Sequence, residues 1–84
     1  METSTILGLV AGAITSFSFL PQVIKTLRMR SAHDVSIEMF SFLSFGIFLW
    51  IIYGLLIGSL PVILANCIAL IFTLAMVFLK IRYR

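Results

Sequence analysis

Three long apolar stretches fill most of an 84-residue chain, at residues 5–27, 37–57 and 60–79, with only short polar connections between them. The charges inside them sit near their ends, Lys25 in the first and Glu38 in the opening turn of the second. At a rise of ~1.5 Å per residue, each stretch is long enough to cross a hydrocarbon core of ~30 Å as a helix. In that medium the backbone must satisfy its own hydrogen bonds, so a spanning segment of this kind is an α-helix. Composition agrees: 62% of the residues are hydrophobic and 11% charged, against roughly 45–50% and about 25% in soluble domains. The expected fold is an all-α membrane protein, a three-transmembrane-helix bundle forming a single domain over residues 1–84.

The net charge of +3 does not point to nucleic acid, because the basic residues flank apolar runs instead of forming an isolated patch. Lys25, Arg28 and Arg30 border the first connection, residues 28–36, and Lys80, Arg82 and Arg84 lie at the C-terminal end. With three spans these two regions share a side. The positive-inside rule places them in the cytoplasm, with the N-terminus and the Gly58-Ser59 turn outside. The opening Met1-Glu2-Thr3-Ser4 lacks the basic start of a cleavable leader, so none is expected. Cys67 is the only cysteine and His33 the only histidine. One lies in an apolar run and the other in the polar connection, so neither a disulfide nor a metal site is expected.

The first stretch carries the Pro21-Gln22 pair. Proline has no N–H, which frees the Phe17 carbonyl and weakens the helix there. Gln22 is costly to bury without a partner. Gly8, Gly12, Thr15, Phe19, Gln22 and Thr26 recur at alternating spacings of four and three, on one helical stripe bordered by Ser16. For the glycines two readings stand: a close helix–helix contact, or one wall of an aqueous path. For Thr15 to Gln22 the path is the expectation, because Pro21 lies beside it. Asp34 or Ser36 is placed to cap the second helix, with Glu38 in its first turn.

In the second stretch Met39, Leu43, Gly46, Trp50, Tyr53 and Ile57 share a face. Trp50 is about seven residues inside the span's end, ~10 Å deep, deeper than an interfacial belt requires. The third stretch opens with Ser59 as N-cap and Pro61 in the first turn, where proline costs least. Asn66, Ala69, Thr73 and Met76 form its polar-to-small stripe. Asn66 lies ~9–10 Å from the same membrane face as Trp50. A buried asparagine often glues helices together, but the match in depth favours a shared site.

Proton relays and voltage sensors need ionisable groups at depth, and this chain has none there. The hydroxyls and Cys67 have no base beside them within the spans, so the chain is not expected to be an enzyme. An indole face, an amide, hydroxyls and a bendable backbone suit a neutral polyhydroxylated solute. Three helices cannot wall off a path for such a solute, and a symmetric dimer is the commonest completion. A parallel homodimer would set six helices around a central translocation path.

The ordered set Leu20-Pro21-Gln22-Val23, the basic loop, Asp34-Val35-Ser36, Trp50 with Tyr53-Gly54, and Pro61-x-x-x-Ala65-Asn66 resembles the SemiSWEETs. These are bacterial half-size sugar transporters of the PQ-loop superfamily, and the resemblance covers essentially the whole chain. SWEETs are a known case of parallel repeats about an axis along the membrane normal. The resemblance implies a homodimer in the bacterial inner membrane that carries mono- or disaccharides down their gradient by alternating access, with no cofactor. It implies that Trp50 and Asn66 bind the sugar and that Pro21, with Gln22 beside it, is the hinge of the cytoplasmic side. It also places Phe19, Met39 and Leu43 near the inner gate and Tyr53 near the outer one.

Some relatives latch the outer gate with an Arg–Asp pair, where this chain has Ile57 and Ser59. Outer closure is therefore expected to rest on Tyr53 and apolar packing. Two other functions compete: a PQ-loop transporter of another small solute such as an amino acid, and a holin-like membrane-structural protein. By depth, Pro21 lies ~9 Å from the cytoplasmic end of its span, which puts the hinge roughly 10 Å below the Trp50–Asn66 level. Gln22 is left with two tasks, capping the loosened backbone or lining the inner mouth.

Overall fold

The first apolar stretch folds as two helices, because Pro21 offers no N–H to the turn before it. In the computed structural model, which describes residues 2–33 and 35–83, α1 is Thr3–Phe17 and α2 is Leu20–Met29. The break keeps right-handed dihedrals, with Ser18 at φ −66°, ψ −19° and Phe19 at φ −76°, ψ −21°. The Ser18 amide is shared between Ile14 O at 3.1 Å and Thr15 O at 3.3 Å, and the Phe19 amide takes the shorter-range bond to Ser16 O at 3.3 Å. The Ser18 hydroxyl donates to the Thr15 carbonyl at 2.5 Å. The regular ladder resumes with Val23 N to Phe19 O at 3.2 Å. The pair α1–α2 is thus one bent span, Thr3–Met29.

The second span is α3, Ile37–Ile57, and the third is α4, Leu60–Tyr83. Ser36 caps α3 by accepting from Met39 N at 3.1 Å; the other candidate cap, Asp34, lies outside the described residues. Gly58 ends α3 at φ +69°, a conformation that glycine adopts without strain. The Ser59 amide then reaches back to the Gly54 carbonyl at 2.9 Å, closing the helix end as a Schellman turn does. Ser59 opens α4 by accepting from Val62 N at 3.4 Å. α4 continues past the expected end at Leu79 to Tyr83. All three spans are long and apolar enough to cross a membrane.

α4 is the central element. It packs against both α1 and α3, while among the described residues no Cα of α1 comes within 8 Å of one in α3. On one side Gly8 and Gly12 let the backbones close: a Cβ on Gly8 would stand 2.9 Å from Pro61 Cβ, and one on Gly12 2.5 Å from Ala65 Cβ. One turn further, buried Ser16 donates to the Ala65 carbonyl at 2.7 Å. Of the two readings open for the glycines, the structure takes the helix contact. On the other side Gly54 meets Val62 and Ile63, and Ser44 donates to Thr73 Oγ1 at 2.9 Å.

The end nearest residues 30–36 holds the apolar core. Val23, Ala32, Val35, Phe40, Met76 and Leu79 form one buried cluster, so the connection tucks two of its own residues between the helices. The chain measures 43 × 21 × 13 Å along its principal axes. A flat layer of helices would be only ~5 Å thick at Cα level, from a helix radius of ~2.3 Å. The layer is therefore curved, and its concave side is a groove.

Candidate functional site

The groove is lined by Thr15 and Phe19 of the first span, Phe42, Leu43, Gly46, Ile47 and Trp50 of α3, and Asn66 and Ala69 of α4. Its volume is about 540 Å³. Because α4 lies between the other spans, Asn66 and Ala69 make the floor while Thr15 and Trp50 stand on opposite walls. The two residues matched by depth in the sequence, Trp50 and Asn66, thus line one space.

Asn66 is half-buried, and its Nδ2 donates to the Val62 carbonyl at 2.8 Å, one turn back on its own helix. That bond fixes the amide and leaves Oδ1 as an acceptor beside the groove. Thr15 is arranged in the same sense: its hydroxyl donates to the Ala11 carbonyl at 2.9 Å, so its remaining lone pair is an acceptor. Trp50 is 54% exposed in the single protomer. Its ring meets Tyr53 edge-on, with centroids 5.4 Å apart at 87°, an arrangement aromatic rings favour. Nothing lies within 4 Å of where a Cβ on Gly46 would be, so glycine leaves open the space one turn from the indole.

The stripe expected along the first span divides. Gly8 and Gly12 turn to α4, Thr15 and Phe19 line the groove, and Thr26 is buried with its hydroxyl donating to the Gln22 carbonyl at 2.9 Å. Of the gate candidates, Phe19 and Leu43 line the groove with Trp50 and Asn66, whereas Met39 does not. Tyr53 borders an adjoining recess with Gly46, Leu49 and Trp50. Pro21 and Gln22 line a separate space of about 360 Å³ with Lys25, Thr26, Met29 and residues 31–33 and 35. Among the described residues the Gln22 amide makes no hydrogen bond, while the break is held by Ser18. Phe42 was not singled out in the sequence; its signal was the four-residue step back from Gly46.

The family model for the PQ loop repeat matches residues 3–63. Over 78 residues the chain is 38% identical to a protein of Bradyrhizobium diazoefficiens named sugar transporter SemiSWEET, covering 93% of this chain and 91% of that one. The chain belongs to the PQ-loop family, among the SemiSWEETs. A crystal structure of a bacterial homologue of SWEET transporters matches with a TM-score of 0.95 at 47% identity, covering 99% of this chain and 100% of that one. A crystal structure of a SemiSWEET in the inward-open conformation matches with a TM-score of 0.86 at 32% identity, over 96% and 87% of the two chains. The SemiSWEET fold accounts for the central α4 and the curved layer, and the chain is a multi-pass membrane protein. Its relatives are transporters, so the chain is not an enzyme.

Proposed function

We propose that this SemiSWEET is a facilitative, ion-independent transporter of mono- or disaccharides that works by alternating access as a parallel homodimer. The observation that carries the reading is the groove: Trp50 and Asn66 line one open, uncharged concavity on a chain that matches a named sugar transporter over 93% of its length. The C–H face of a sugar ring stacks on the exposed indole, and its hydroxyls donate to Asn66 Oδ1. The groove is open on one side, and a second copy closes it about an axis along the membrane normal. Each protomer supplies one repeat over residues 1–84.

The bend at Ser18-Phe19 ahead of Pro21 supports a hinge there. Movement of α2 about it would carry Phe19 at the inner mouth, with Leu43 and Met39 opposite. A relative described as inward-open fits a transporter with more than one state. Tyr53, braced on Trp50, would close the outer mouth with apolar neighbours, because Ile57 and Ser59 offer no ion pair. The clustering of basic residues around residues 28–36 and the C-terminus supports an orientation with both on the cytoplasmic side.

The test is flux in reconstituted vesicles. Labelled glucose or sucrose should equilibrate without an ion gradient, and Trp50→Ala and Asn66→Ala should each abolish that flux. Normal flux in both variants would reject the site, and leakage of unrelated solutes would favour a hole-forming protein.

A further inference from the structure

Lys80 has a task beyond its part in setting orientation. Its Nζ donates to the Ala32 carbonyl at 2.9 Å, and the Ala32 amide bonds the Tyr83 carbonyl at 3.4 Å. Ala32 is 1% exposed and Val35 6%. Ala32 is therefore strapped to the end of α4 by both its backbone groups, with its own burial and that of Val35 beneath the strap. Between this strap and α2 stands Arg30 at φ +50°, the left-handed region that non-glycine residues seldom occupy. α2 is thus a ten-residue helix with a bend at each end, Ser18-Phe19 before it and Arg30 after it.

We infer that Lys80 is a positioning residue for the inner gate: it fixes the strap on α4, so that α2 works as a lever jointed at both ends, which can turn about its length but cannot sway away from α4. This rests on the hinge reading above. With its far end free, α2 would sway in many directions about the bend. Jointed at both ends it keeps one motion, a turn about its length that shifts Val23 against Met76 and changes which side chains face the inner mouth. The strap also explains why α4 runs on to Tyr83, since its last turn is the anchor.

The test uses paired cysteines in a Cys67→Ser background, with sucrose and glucose flux measured before and after oxidation and again after reduction. Linking Ala32→Cys to Tyr83→Cys should leave flux within about twofold, because that contact does not open. Linking Val23→Cys to Met76→Cys, from the shared buried cluster, should stop flux reversibly by pinning α2. Lys80→Met should lower flux several-fold and speed amide exchange in residues 31–36. Lys80→Arg should retain both, and the Ala32–Tyr83 link should rescue flux in Lys80→Met, which a role in orientation or folding alone would not allow.

If both links stop flux, the strap itself moves and the clamp is wrong while the hinge survives. If neither does, α2 is static, and hinge and lever fall together. Failure of the Ala32–Tyr83 link to form, or unchanged exchange in Lys80→Met, would overturn the clamp whatever the flux.

Discussion

Gly12 and Ala65 meet so closely that a Cβ on the glycine would lie 2.5 Å from the alanine's own. The contact sets the distance between the first and third spans, and Ser16 reaches the Ala65 carbonyl only because of it. Gly12→Ala must push the helices apart or shift their register, and overpacking of this kind costs about 1–3 kcal/mol. We expect a lower unfolding midpoint in detergent and loss of sugar flux, since Thr15 and Asn66 ride on the two helices displaced. A midpoint equal to the parent's would mean that the seam yields without cost.

Gly46 predicts the opposite pairing of effects. A Cβ there meets nothing within 4 Å in the protomer, and a longer side chain enters the groove beside Trp50. Gly46→Leu should leave stability within about 0.5 kcal/mol, as surface changes usually do. Sucrose flux should fall further than glucose flux, because the larger solute needs more of the space. Equal inhibition of both sugars would place the substrate elsewhere in the groove.

The bond between Ser44 and Thr73 is asymmetric, which makes its two deletions unequal. Thr73 Oγ1 accepts from Ser44 at 2.9 Å and lies 3.2 Å from the Leu70 carbonyl, to which it donates. Ser44→Ala leaves that donation intact, and should cost about 0.6 kcal/mol, the usual size of such interhelical bonds in membranes. Thr73→Val strands a buried hydroxyl donor on Ser44 and should cost about 1–3 kcal/mol. The double variant should then be no worse than Thr73→Val alone. Chemical unfolding of the four proteins in detergent micelles measures this, and strictly additive losses would argue against any coupling.

What could be read from the sequence follows from what hydrophobic pattern encodes in lipid. Trp50 and Asn66 could be matched because depth needs only the rise per residue and the span ends. The glycine contact was open to two readings because small residues serve both close packing and wet walls. Only the opposing Pro61 and Ala65 decide between them. The central place of α4 could not be read, because the first and third spans each carry a stripe of small and polar residues, and neither stripe says which span is enclosed. The tie made by Lys80 could not be read for a related reason: a basic residue past an apolar run looks like a snorkelling end, and its bond to Ala32 depends on a loop conformation no periodicity reports.

Pro21 is the sharpest case for separating motion from recognition, because its ring lines a different space from Trp50 and Asn66. Pro21→Ala returns a donor to the Phe17 carbonyl and lets α1 and α2 join as one ladder. Pro21 stands in the first turn of α2, where proline costs little, so the variant should change stability by less than about 1 kcal/mol. The restored donor makes the bend harder to open, and flux should fall about tenfold, equivalent to roughly 1.4 kcal/mol on the barrier. Sugar affinity, read from Trp50 fluorescence, should stay within about twofold. Loss of affinity with rapid flux per bound sugar would move Pro21 from the hinge into the binding site.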